Sequence, residues 1–233
     1  MRFRSVIVLT CAACSCFAQQ KRRVIQIDIS KLLNARPVTT LTGAKLINWS
    51  KGIDGNGDGD GYLTRAAALF NKDDTTHALP DNPVFASSRW HPAIQLHYNN
   101  ADSVHNQARF VSGEGGFSID IPRKHYAAIY LGLTSSEGPS ALEFDLVYTD
   151  GTETKKHLLP DYYDNISLKD PDVGYVATDL AKWGKNGVMA EKDHHNIHLL
   201  KLSIDPHRKL KGIVVRKSKG GYLMFWSATG VTY

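Results

Sequence analysis

The sequence predicts an all-β protein: an antiparallel β-sandwich or jelly roll with long loops and one or two short helices. Three observations carry this. Apolar residues alternate with polar ones at period two, which is the strand signature. The alternating runs recur every 10–25 residues with turn chemistry between them. Long runs at the helical period are missing from the chain, and strands separated by turns rather than by helices favour a sandwich over an α/β fold.

Taken in order, residues 24–29 alternate cleanly, and residues 117–121 do the same up to Pro122. Residues 127–133 form a near-continuous apolar run, as a central strand buried on both faces requires. Residues 142–148 alternate into Thr149-Asp150-Gly151-Thr152, a hairpin signal, and residues 153–159 return. Residues 198–204 alternate up to the turn at Asp205-Pro206. Residues 210–216 and 222–231, parted by Gly220-Gly221, complete the set. The expected core includes Ile129, Leu131, Leu133, Phe144, Leu146, Ile213, Val215 and Phe225. Trp226, inside the last run, belongs with them, whereas Trp49 lies outside the clearest strands. Helices are expected only over residues 63–70 and over 178–185, the latter with Asp179 near its start. Residues 71–116 and 160–196 read as long irregular stretches, which in a compact domain are usually functional or carry short elements of their own.

Residues 1–18 read as a secretory signal peptide rather than as fold. Arg2 and Arg4 precede a short apolar stretch, and Cys16-Phe17-Ala18 sets small residues three and one before Gln19. All 3 cysteines (Cys11, Cys14, Cys16) lie in this leader, so a mature chain 19–233 has no disulfide, thiolate metal site or cysteine nucleophile. A lipid-anchored reading on one of these cysteines lacks the leucine expected three positions earlier, so soluble secretion, extracellular or periplasmic, is favoured. The remaining residues read as one domain with no internal repeat or linker and no second apolar segment long enough to span a bilayer. Loss of the leader lowers the formal net charge from +5 to +3, and the basic residues are dispersed, so no nucleic-acid partner is expected.

Asp54-Gly-Asn56-Gly-Asp58-Gly-Asp60-Gly61-Tyr62 alternates oxygen-bearing side chains with glycine, a pattern that curls tightly and directs hard oxygens at one centre. Counted from Asn56 it matches the first half of an EF-hand-type loop, with the Tyr62 carbonyl at position 7. Position 12, normally a bidentate Glu, is Ala67; counted from Asp54 it is Arg65. The expectation is a structural Ca²⁺ on Asp54, Asn56, Asp58, Asp60 and Tyr62, completed by an acid from elsewhere. The competing reading is an ordinary Asp/Gly turn.

The second half resembles the galactose-binding-like β-sandwich modules of secreted bacterial carbohydrate-active proteins. The likeness lies in Ile121-Pro122 through Tyr126 with residues 129–133, in the hairpin 144–152 with its Tyr148 before Asp150-Gly151, in residues 202–213, and in the closing strand 222–228. Residues 78–85 carry a weaker echo. Together these cover a little over half of the mature chain, and they are structural motifs. The resemblance implies a β-sandwich that binds carbohydrate or polysaccharide.

Sugars are held by aromatic faces flanked by amides, carboxylates and Arg. Arg89, Trp90, Gln95, Tyr98 and Asn99 supply these types, as do Tyr162, Tyr163 and Trp183. The alternative for 94–98 is a strand with one buried face. The competing functional class is a small jelly-roll polysaccharide lyase or glycosidase using His97, Tyr98, Arg89, Asp161 or His195; a third is a non-catalytic surface or interaction domain. Asp193-His194-His195-Asn196-Ile197-His198 offers three imidazoles for a Zn²⁺-like ion with Asp193 as a fourth ligand, but in a strand Asn196 and His198 point one way and His195 and Ile197 the other.

Overall fold

A computed structural model describes residues 22–167, 169–218 and 220–232 of the protein; the expected signal peptide lies outside them. The longest strands are β8 (Gly115–Ser136), β9 (Ser140–Tyr148), β10 (Gly151–Leu159), β11 (Val173–Trp183), β12 (Met189–Ser203), β13 (Lys209–Lys217) and β14 (Tyr222–Thr232). Before them come β1 (Arg23–Ile27), β2 (Val38–Thr42), β3 (Lys45–Ile47), β4 (Tyr62–Leu63), β5 (Val84–Phe85), β6 (Ile94–Gln95) and β7 (Arg109–Ser112). The one α-helix among the described residues is α1 (Arg65–Phe70), where a helix was expected; the Thr64 hydroxyl caps it by accepting from Ala67 N.

Two antiparallel layers share β8. Its first half pairs with β13, followed by β9 and β10; its second half pairs with β12 on one side and β14 on the other. Strand β11 extends this second layer beyond β12, while β1 and β7 lie end to end along the far edge of β14. The core between the layers includes Phe117, Ile119, Ile129, Leu131, Leu133, Phe144, Leu146, Ile213, Val215 and Phe225. All eight residues expected in the core are therefore buried.

Pro122 does not end a strand, contrary to expectation. The β13 register slips between Leu210 and Gly212, which face Lys124 and Asp120, and Pro122 falls in that gap. A residue with no N–H is tolerated at such an irregularity, and the bend there carries β8 from one layer into the other. Its carbonyl accepts from the Tyr126 hydroxyl at 2.8 Å.

The opposite face of the β11–β12–β8–β14 layer is also covered. Residues from the stretch 35–110, among them Val38, Ile53, Tyr62, Leu79, Ile94, Leu96 and Phe110, pack there against Ile197, Leu199, Met224 and Trp226. A smaller cluster joins Leu63, Ala67, Ala68, Ala78, Ala181 and Trp183. This double covering explains why residues 178–183, within the stretch 178–185 expected to be helical, form the end of β11 instead. Leu180 packs into one cluster while Ala181 and Trp183 enter another, so both faces are buried and the period-two signal disappears.

Candidate functional site

The Asp/Gly loop, the segment after β10, and the β11–β12 hairpin meet at Lys182. This lysine is only 5% exposed. Its ammonium donates to Asp54 Oδ2 at 2.9 Å, to Glu191 Oε1 at 2.7 Å and to the Tyr162 hydroxyl at 3.1 Å, and lies 3.8 Å from Asp60 Oδ2. Three hydrogens meet three acceptors. Burial alone would favour the neutral amine, but these bonds outweigh it and hold the lysine above its usual range.

Asp54 anchors the loop. It accepts from the Asp60 backbone N–H at 2.6 Å and from the Tyr162 hydroxyl at 3.1 Å. The carboxylate curls so closely under the chain that a Cβ on Gly59 would lie 1.9 Å from Asp54 Oδ1, so only glycine fits there. Asn56 takes the left-handed conformation at φ 57 and accepts from the Ser112 hydroxyl. Asp58 points outward, 3.5 Å from Lys185. Tyr62 is buried in β4, its hydroxyl without a hydrogen-bond partner. Asp54, Asp58 and Asp60 do not bring three carboxylate oxygens together. The positive charge between Asp54 and Asp60 is the ammonium of Lys182.

Around this centre the carboxylates differ. Lys182 holds Glu191 below its usual range. Burial and the neighbouring Asp54 push Asp60 up, against the pull of Lys182. His195 is fully buried, with Nδ1 2.7 Å from the Leu180 carbonyl and Nε2 3.2 Å from Glu191 Oε2. Both partners accept, so both contacts form fully only with a protonated ring; burial, reinforced by Lys182, pushes the ring the other way.

The surface of the site is aromatic. Tyr163 is 52% exposed. Its ring stacks on His194 at 5.8 Å and meets His195 and Tyr162 edge-on at 5.2 and 6.4 Å. Asp161 fixes the turn: Oδ1 accepts from Tyr163 N, and Oδ2 from Gly138 N.

Other expected ligand contacts are dispersed. Trp90 is 65% exposed, with the Arg89 guanidinium 5.6 Å from its ring. Gln95 is exposed in β6, and Asn99 caps its own turn by accepting from Ala101 N. Tyr98 and Trp183 require correction. Tyr98 is buried and donates its hydroxyl to the Pro80 carbonyl at 2.7 Å, while Trp183 is buried and donates to Asp73. Neither presents a face to a ligand: Tyr98 is part of the covering layer and packs in its cluster with the sheet, and Trp183 is buried in the cluster with Leu63, Ala67, Ala68 and Ala78. Tyr162 is likewise buried and serves the Lys182 centre. The expected catalytic set is turned to separate partners: burial holds His97 below its usual range against the pull of Asp28, and Tyr98, Asp161 and His195 are committed as described. Trp49 is buried with its indole N–H on the Trp183 carbonyl.

Sequence reasoning missed Lys182 and Glu191. The only signal was a lysine set between Ala181 and Trp183 in an otherwise apolar run.

No family model matches the chain, and no curated protein matches it. Among solved structures, the chain overlays the CBM22-1–GH10 modules of the N-terminal endo-1,4-beta-D-xylanase 10B of Clostridium thermocellum, determined with xylohexaose. The TM-score is 0.29 at 10% identity, over 60% of this chain and 24% of that one. The overlay therefore spans about a quarter of that protein, and a likeness of this degree carries no argument about fold or ligand. No helix among the described residues is long and apolar enough to cross a membrane.

Proposed function

We propose that this chain is a secreted carbohydrate-binding β-sandwich protein that binds polysaccharide without turning it over, with Tyr163 as its stacking platform. The observation that carries the reading is the Tyr163 ring, half-exposed yet held by three other rings. A rigid aromatic face loses little entropy on binding, and such faces carry large shares of binding energy. His194 beside it and the carboxylate of Glu191, which is partly exposed, supply polar partners for hydroxyl groups. The secreted location is supported by the signal-peptide-like pattern of residues 1–18.

Affinity electrophoresis against a panel of soluble polysaccharides tests the proposal. At least one should retard the protein, and Tyr163→Ala should weaken that retardation at least tenfold, or about 1.4 kcal/mol. Trp90→Ala, on a separate loop, provides the second measurement. Retardation by no polysaccharide, or retardation unchanged in both variants, would sink the reading. Release of unsaturated sugars or reducing ends would replace it with catalysis.

A further inference from the structure

A second cluster lies on the exposed side of the β11–β12 hairpin, where its pairing is irregular between Ala177 and Leu180. Asp179 comes from β11, and Asp193 and His194 from β12. One ligand atom from each of the three lies within 4.8 Å of the other two. The His194 ring contacts Asp193 Oδ1, and the His194 backbone N–H donates to Asp179 Oδ1 at 3.1 Å. His77, from the segment after α1, places Nδ1 2.7 Å from the Asp179 carbonyl and 3.2 Å from its Oδ2. His77 is not among the three groups whose ligand atoms converge; through Nδ1 it positions Asp179.

The donor set is two carboxylate oxygens and one imidazole nitrogen. An ion bound at about 2.0–2.2 Å to each needs donors no more than about 4 Å apart, so the three side chains close on it with shifts of under about 1 Å. An imidazole nitrogen suits zinc and its first-row neighbours, whereas Ca²⁺ takes six to eight oxygens. All three groups are at least partly open to solvent, so water has room to complete the shell. We propose that Asp179, Asp193 and His194 bind one divalent transition-metal ion, with Zn²⁺ as the first choice. Three protein ligands with an open position is the arrangement of zinc sites that exchange water or take a further ligand. The site shares His194 with the Tyr163 platform, but the metal proposal does not rest on the sugar-binding reading, because metal titration reads it without any sugar.

Isothermal titration of the untagged mature chain with ZnCl₂, CaCl₂ and MgCl₂ tests it. The expected result is one Zn²⁺ per chain and no comparable binding of Ca²⁺ or Mg²⁺. His194→Ala and Asp193→Asn should each weaken Zn²⁺ at least tenfold. His105→Ala should change nothing, since His105 is exposed and faces a single carboxylate, Asp102. Histidine ring resonances should show Zn²⁺ reaching His194 and not His105. Absence of binding at millimolar Zn²⁺, or equal binding by all three variants, would overturn the proposal and leave the cluster an ion pair with one extra acid.

Discussion

The two faces of the β11–β12–β8–β14 layer are built differently. The inner face meets another sheet through Leu131, Leu133, Leu200, Leu202 and Phe225 and is almost wholly apolar. The outer face is covered mainly by loop, and charged and amide side chains are buried there. Arg36 donates to the carbonyls of Asp102 and His105 and to the Thr40 hydroxyl. Gln107 bonds both the N–H and the carbonyl of Val38. Lys182 and Asp54 pair under the Asp/Gly loop. A sheet satisfies its own backbone, so its side chains are free to be hydrophobic. A covering loop has no ladder, so its buried backbone groups must borrow donors and acceptors from side chains.

The sharpest way to break this contrast is to remove one charge from the outer face. Lys182→Met strands the buried Asp54 carboxylate and should cost about 3–5 kcal/mol. Adding Asp54→Asn should restore more than half of the loss, because no buried charge is then left alone. Phe144→Ala on the inner side should cost a similar ~3–5 kcal/mol through cavity formation, and no second polar change should rescue it. Urea denaturation of the four proteins measures all of this. A cost below about 1 kcal/mol for Lys182→Met would mean that charge does not hold the outer layer.

The same contrast decides how much was legible in the sequence. Residues 142–159 and 210–216 alternate because one face meets the other sheet and the opposite face is polar, and residues 127–133 and 222–231 read as apolar runs because both of their faces are covered; their strands and core residues follow from the pattern. The end of β11 could not be read, because Leu180 and Trp183 are buried on opposite sides and the intervening Lys182 is buried too. Tyr163 could be singled out as an aromatic residue after a strand, but Tyr98 and Trp183 share its residue class and are covered. What separates them is the path of the long stretch 71–116, which no local pattern encodes. The Asp/Gly pattern marked a tight loop, but Asp58 points outward; that a lysine 128 residues away would face Asp54 is a tertiary fact.

His198 is the polar intruder on the inner face. It is fully buried opposite Leu133, beside the Tyr175 ring, and neither ring nitrogen makes a well-formed hydrogen bond. Burial pushes it down from 6.5 to about 4, with only a small opposing pull from the Asp164 carbonyl. The unfolded chain gains a proton as pH falls below 6.5, while the folded chain stays neutral until about 4. Stability is therefore lost as pH falls through this window, by about 2 kcal/mol at pH 5. His198→Leu should remove that part of the acid sensitivity, read as the change in urea midpoint between pH 7 and pH 5. An identical pH dependence in the variant would place the sensitivity elsewhere, with His195 the next group to test.

The smallest expected effect concerns what closes the Asp/Gly loop. If Lys182 supplies the positive charge, the loop needs no ion. Asp54 and Asp60 already face the ammonium, and Asn56 already receives a hydroxyl hydrogen. Asp58 is 87% exposed and meets only the exposed Lys185 at 3.5 Å. Such a surface pair is worth at most about 0.5 kcal/mol, so Asp58→Ala should shift the melting temperature by no more than about 2 °C. Exchanging EDTA for millimolar Ca²⁺ should move it less than that. A native-state ligand acts by mass action, so a calcium site with a micromolar constant would instead add about 4 kcal/mol at millimolar Ca²⁺. A rise of that size, lost in Asp58→Ala, would show that the outer layer is closed by an ion and not by its own side chains.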